Sequence, residues 1–131
     1  MRHLHRSRSA LVLALVLAGA CSDSTAPTPL QVAGVYSLES VSGRGPVAGS
    51  FTLTADGRAE RRVRYATDPT EIVFIGRFTV DGTTIAFNLV PGNMPAAFVW
   101  PVAGQWLGSQ FTIKYPDPAD GPDIVETYRR P

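Results

Sequence analysis

Histidine is almost missing from this chain of 131 residues. The only two, His3 and His5, lie within its first five positions. Histidine is the side chain whose unperturbed pKa lies nearest neutrality, and it is the commonest metal ligand. Beyond residue 5, Ser-His-Asp and Cys-His catalytic arrangements are excluded, as are zinc sites built on His or Cys. Cysteine is as scarce: Cys21 stands alone, so no disulfide forms within the chain. Lysine occurs once, at Lys114, while Ala, Gly, Val, Pro and Arg abound, a bias of the kind a GC-rich genome produces. There is no G-x-S-x-G elbow, phosphate-cradling glycine loop or dinucleotide fingerprint. No helical periodicity is sustained beyond residue 20.

The N-terminus carries the clearest address. Met1–Ser9 holds Arg2, Arg6 and Arg8, Leu11–Leu17 is an unbroken apolar run, and Ala18-Gly19-Ala20 precedes Cys21. Basic start, apolar middle and small-residue end are the three parts of a secretory signal peptide. The apolar run falls short of the roughly 20 residues that a permanent spanning helix needs. Cleavage is expected between Ala20 and Cys21, removing residues 1–20.

Leu17-Ala18-Gly19-Ala20-Cys21 resembles the bacterial lipobox, with small residues before the cysteine and the leucine one place upstream of its usual position. The resemblance implies that Cys21 carries acyl chains, palmitate among them, and holds the protein to a membrane. Two or more chains anchor stably where one does not. Ala18-x-Ala20 also suits the ordinary signal peptidase, which would cut the same bond and leave a free thiol. A lone exposed thiol is a liability in an oxidising compartment, which favours lipidation. The expected location is the cell envelope, at the outer membrane or its periplasmic face. Ser22–Pro29 is small, polar and proline-bearing, so residues 21–31 read as the lipidated cysteine and a flexible tether.

Removing residues 1–20 takes three of the twelve Lys and Arg and none of the eleven Asp and Glu, leaving nine against eleven and a formal charge of −2. Nothing in that balance suits nucleic acid. Residues 32–131 have the length of one domain, large enough to bury a modest core.

Within that domain apolar and polar residues alternate in short runs broken by turn signals, the mark of strands half-buried in a sheet. Val35–Val41, Ser50–Ala55, Arg58–Ala66, Ile72–Val80, Thr84–Val90, Ala97–Ala103, Leu107–Tyr115 and Asp123–Arg130 are the expected strands. Asp56-Gly57 and Asp81-Gly82 mark hairpin turns, Pro91–Pro95 a loop, and Gly104 the turn before Leu107. Pro101 argues for an edge position, a bulge or an early end to pairing in its strand, and Trp106, out of phase with Phe111 and Ile113, is expected to be partly exposed. The expected fold is all-β: a small antiparallel up-and-down barrel, with a β-sandwich as the alternative.

Val32-Ala33-Gly34-Val35-Tyr36-Ser37-Leu38, Phe51-Thr52-Leu53-Thr54-Ala55-Asp56-Gly57 and Gly76–Phe87 resemble the opening strand, the L-x-A-D-G turn and the recurrent hairpin of small bacterial lipocalin-like domains. Tyr128-Arg129-Arg130 is similar to the way such chains end. The resemblance covers residues 32–131 and implies an eight-stranded meander barrel on a lipoprotein tether. It implies a fold more than an activity.

Arg61 falls in phase with Ala59, Val63 and Tyr65, which points its guanidinium into the barrel. A buried arginine needs a partner: an anionic ligand, the open end of the barrel, or Glu126. Tyr65 and Trp100 join Arg61 as candidate ligand contacts, with Phe74, Phe98 and Tyr115 as further lining. An interior of eight strands holds packed side chains or one small ligand. Asp117–Asp123 is acidic but lacks the alternate spacing of a calcium loop, so no metal, cofactor or catalytic residue is expected. The leading expectation is a non-enzymatic module that binds a small apolar or amphipathic molecule or serves as an envelope accessory. The alternative is a protein-binding module, such as a periplasmic protease inhibitor, working through a barrel-end loop.

Overall fold

The computed structural model describes residues 27–92 and 99–131. The leader, Ala20, Cys21, most of the tether, Phe98 and residues 93–95 of the expected loop lie outside the described residues. A short helix, α1 (Pro29–Val32), precedes eight strands: β1 (Gly34–Ser42), β2 (Ala48–Leu53), β3 (Arg58–Tyr65), β4 (Asp68–Asp81), β5 (Thr84–Pro91), β6 (Trp100–Trp106), β7 (Gln110–Tyr115) and β8 (Ile124–Arg129). Each strand pairs antiparallel with the next and β8 returns to β1, which closes an up-and-down barrel. The sandwich alternative is thereby excluded. Closure leaves no free sheet edge.

Alternation builds the interior. Ala59, Arg61 and Val63 of β3, Ile85, Phe87 and Leu89 of β5, Phe111 and Ile113 of β7, and Ile124, Glu126 and Tyr128 of β8 are buried at every second position. Aromatic rings fill the middle. Phe51 contacts Phe87, Phe111 and Tyr128 at centroid distances of 4.9, 5.2 and 4.8 Å. Tilted and edge-to-face pairs at such spacing add to the apolar area buried.

The barrel end at which β1 begins is plugged. Pro29 at the start of α1 has its φ preset for a helix, and the Thr28 amide donates to Gln31 Oε1 at 2.8 Å. The helix drops Val32 into the barrel, fully buried, where its carbonyl accepts the Tyr36 hydroxyl at 2.6 Å. Arg130 lies across the Tyr36 ring at 5.4 Å, and its Nη1 donates to the carbonyls of Gln31 and Ala33.

Three local expectations are corrected. Gly104 is not a turn. It sits inside β6, opposite Ile113, where a Cβ would lie 1.5 Å from the Thr112 carbonyl oxygen. Glycine is required there because the neighbouring backbone comes too close for a side chain. Strand β6 therefore continues to Trp106, whose half-buried indole packs on the core and donates from Nε1 to the Tyr36 hydroxyl at 3.4 Å. Pro101 pairs in register with Asn88 in the closed sheet rather than ending a strand at an edge. The second hairpin turn is Gly82-Thr83, because Asp81 and Thr84 still pair, and Gly82 supplies the positive φ of 58°.

Candidate functional site

The end opposite α1 is built differently. Arg61 points inward as its phase requires, and only 1% of it is exposed. Its Nη2 donates to Glu126 Oε1 at 2.6 Å, and Glu126 is 0% exposed. Of the partners expected for Arg61, the structure thus supplies Glu126. The guanidinium is buried in the interior rather than at an open end.

Glu126 is the hub. Oε1 also accepts the Tyr115 hydroxyl at 2.5 Å, and Oε2 accepts the Tyr128 hydroxyl at 2.6 Å. Three donors from β3, β7 and β8 therefore converge on one carboxylate, each from an inward-facing position. Charge-assisted hydrogen bonds of this length are the strong class. A buried ion pair is tolerable only when its remaining polar atoms are satisfied. For Glu126 they are: both oxygens are occupied.

For Arg61 they are not. Nε and Nη1 are buried without a hydrogen-bond partner among the described residues. Cζ lies 5.0 Å from the ring centres of both Phe74 and Trp100, with the Tyr128 hydroxyl also near the guanidinium. Phe74 and Trp100 are 5.5 Å apart, and Trp100 meets Tyr115 edge-on at 5.1 Å. Ring faces attract a cation through their quadrupole, so Arg61 rests against two adjacent rings.

Protonation follows from this environment. Burial works against the Arg61 charge, but the oxygens of Tyr128, Glu126 and Tyr65 outweigh it and hold its proton more tightly than usual. Burial first, and then the Glu126 carboxylate, push the Tyr115 hydroxyl well above the ordinary tyrosine range. Tyr128 is driven the same way by burial and Glu126, with Arg61 opposing. The cluster is a fixed cation, a triply bonded carboxylate and two neutral phenols.

Of the three sequence-selected contacts, Arg61 and Trp100 meet. Tyr65 is half-buried one step further along β3, beyond an irregularity in its pairing with β4 that follows Val63. It is close enough to act electrostatically on Arg61 and Tyr115. Tyr128 was missed as a site residue. Its spacing of two from Glu126 on β8 was the available signal, because residues i and i+2 share a face.

A concavity lies on the outer face of the barrel. A groove of about 640 Å³ extends from β2 to β5, lined by Thr52, Arg58, Glu60, Ile75, Arg77 and Val90 among others. It shares none of the Arg61 cluster. Asp117 in the acidic loop turns back on its own chain, accepting the Ala119 amide at 2.9 Å. No group of three or more His, Cys, Asp or Glu among the described residues is placed to hold a metal ion. Comparison with protein-family models, with curated proteins and with solved structures finds no match to this chain.

Proposed function

We propose that this protein is a lipid-anchored lipoprotein of the bacterial cell envelope whose lipocalin-like barrel is a non-enzymatic binding module for a small amphipathic molecule. The observation that carries the reading is the contrast in the barrel's lining. One end is plugged by Val32 and Tyr36, while the other presents the half-buried aromatics Phe74, Trp100 and Tyr115 around a buried polar cluster. Sites for small molecules combine apolar and aromatic walls with a few converging polar groups.

The anchor and the site are geometrically consistent. The described chain starts at the plugged end, so a lipid on Cys21 would hold that end toward the membrane. The seven residue-to-residue steps from Cys21 to Thr28 reach at most roughly 25 Å. The aromatic end would then face away from the bilayer, toward arriving ligand.

Native mass spectrometry of the chain purified from its own host tests the binding reading. Extra mass that is lost on denaturation is the expected result, and a bare polypeptide mass would overturn it. Cell fractionation tests the anchor: a Cys21→Ser chain is expected to leave the membrane fraction, and its retention there would refute lipidation.

A further inference from the structure

We propose that Arg61 is a ligand-binding residue that recognises an uncharged oxygen acceptor, such as the carbonyl of an amide, ester or ketone, through one of its two unpartnered donors, Nε or Nη1. This rests on the small-molecule reading above and specifies the chemistry of the group bound. Three observations carry it. Arg61 is 1% exposed and leaves Nε and Nη1 without partners among the described residues. A buried donor without an acceptor is costly, so such groups in folded proteins almost always have a partner. The faces of Phe74 and Trp100, each 5.0 Å from Cζ, attract the cation but offer no oxygen lone pair.

The third observation is charge. Nη2 is already committed to Glu126 at 2.6 Å, so the buried pair is neutral as it stands. A carboxylate or phosphate added beside it would leave one buried negative charge in excess, close to Glu126. Isolated buried charge is strongly disfavoured. A carbonyl oxygen accepts from one of these donors and brings no net charge. The anionic ligand expected from a solitary inward arginine is therefore replaced by a neutral one. Trp100 and Phe74, which lie side by side against the guanidinium, would contact whatever apolar body the carbonyl carries.

The test uses a matched pair of probes, octanamide and octanoate, titrated at pH 7.5 into the full chain purified after export from its host. Arg61 is the only buried arginine among the described residues, so its Nε–H proton should exchange slowly and be visible by nitrogen-15 NMR. Octanamide is expected to shift that resonance and to bind at least tenfold more tightly than octanoate. An Arg61→Lys chain keeps a cation opposite Glu126 but loses Nε and Nη1. It is expected to fold, by circular dichroism, and to lose the preference for the amide.

Octanoate binding as well as octanamide or better would overturn the neutral class, as would R61K retaining the preference. An Arg61 resonance unmoved by either probe would assign those donors to water and overturn the site. If the host-purified chain nevertheless retained a small molecule, the binding reading would stand and this inference alone would fall.

Discussion

The two ends of the barrel solve the same closure problem with opposite chemistry. At the α1 end, Val32, Tyr36, Phe111 and Trp106 fill the opening, and the polar atoms they bring pair locally, as with Tyr36 and the Val32 carbonyl. At the far end a buried ion pair holds three strands together through one carboxylate. Apolar filling stabilises through area removed from water and tolerates small changes of shape. A buried charge pair stabilises only while intact, because each partner left alone meets a large desolvation cost. One end is therefore expected to respond to mutation in proportion to volume lost, and the other to whether charge balance is kept.

The sharpest way to break that contrast is at Glu126. Glu126→Ala strands the Arg61 cation in the interior and should cost about 3–5 kcal/mol, the range for splitting a buried pair. The double change Arg61→Met with Glu126→Gln removes both charges and should recover most of that loss. Urea denaturation of the single and double variants measures both values. A double variant as unstable as Glu126→Ala would show that the far end depends on hydrogen-bond geometry rather than charge balance.

The matching experiment in the aromatic core is Phe111→Ala. Phe111 is fully buried among Tyr36, Phe51, Phe87 and Tyr128, and truncation should cost about 3–5 kcal/mol through lost contacts and the cavity left behind. Phe111→Leu should recover much of this, since volume is what matters there. The same denaturation series reads it. Equal losses for Leu and Ala would mean that ring geometry, not volume, holds this region.

Alkaline titration separates the ends by a smaller margin. Tyr128 and Tyr115 have folded-state pKa values raised above the ordinary tyrosine value. A raised pKa means that the native state holds the proton more tightly. Its contribution is complete below about pH 10 and is lost as pH rises beyond it. Fully buried Tyr128 should cost about 1.4 kcal/mol per pH unit in that range, and Tyr115, partly open to solvent, less. Stability measured at pH 8, 10 and 11 should fall along this slope, and Tyr128→Phe should flatten it. An unchanged slope in that variant would remove Tyr128 as its source.

Much of the contrast was legible in residue order. Period-two alternation placed every long apolar residue of β5 and β7 on the correct face, and it turned Arg61 inward before any partner was known. Glu126 was nameable as that partner because β8 alternates too. The error at Gly104 has a physical origin. A closed, strongly curved barrel brings strands into backbone contact, and the glycine that permits this at Gly104 looks in sequence like a turn. Misreading it shortened β6 by three residues and put Trp106 out of phase with Phe111, its partner in the sheet, although the partial exposure expected of its indole is observed. Convergence of Tyr115 and Tyr128 on one carboxylate depends on the β7–β8 register, in which Ile113 faces Glu126. Alternation gives each residue's face but not its height in the barrel.

The finest test of the comparison is Tyr36→Phe at the plugged end. The change deletes one hydroxyl while keeping the ring, so the packing against Phe111 at 4.9 Å survives. What is lost is the bond to the Val32 carbonyl, together with the acceptor of the Trp106 indole. A buried acceptor left without its donor costs about 1–2 kcal/mol. If the two ends are independent, the loss should stay local: faster amide exchange at Val32 and Ala33, with the Arg61 Nε–H resonance unmoved. A shift at Arg61 would show that the rings running from Tyr36 through Phe111 to Tyr128 transmit strain along the barrel, making its two ends one mechanical unit.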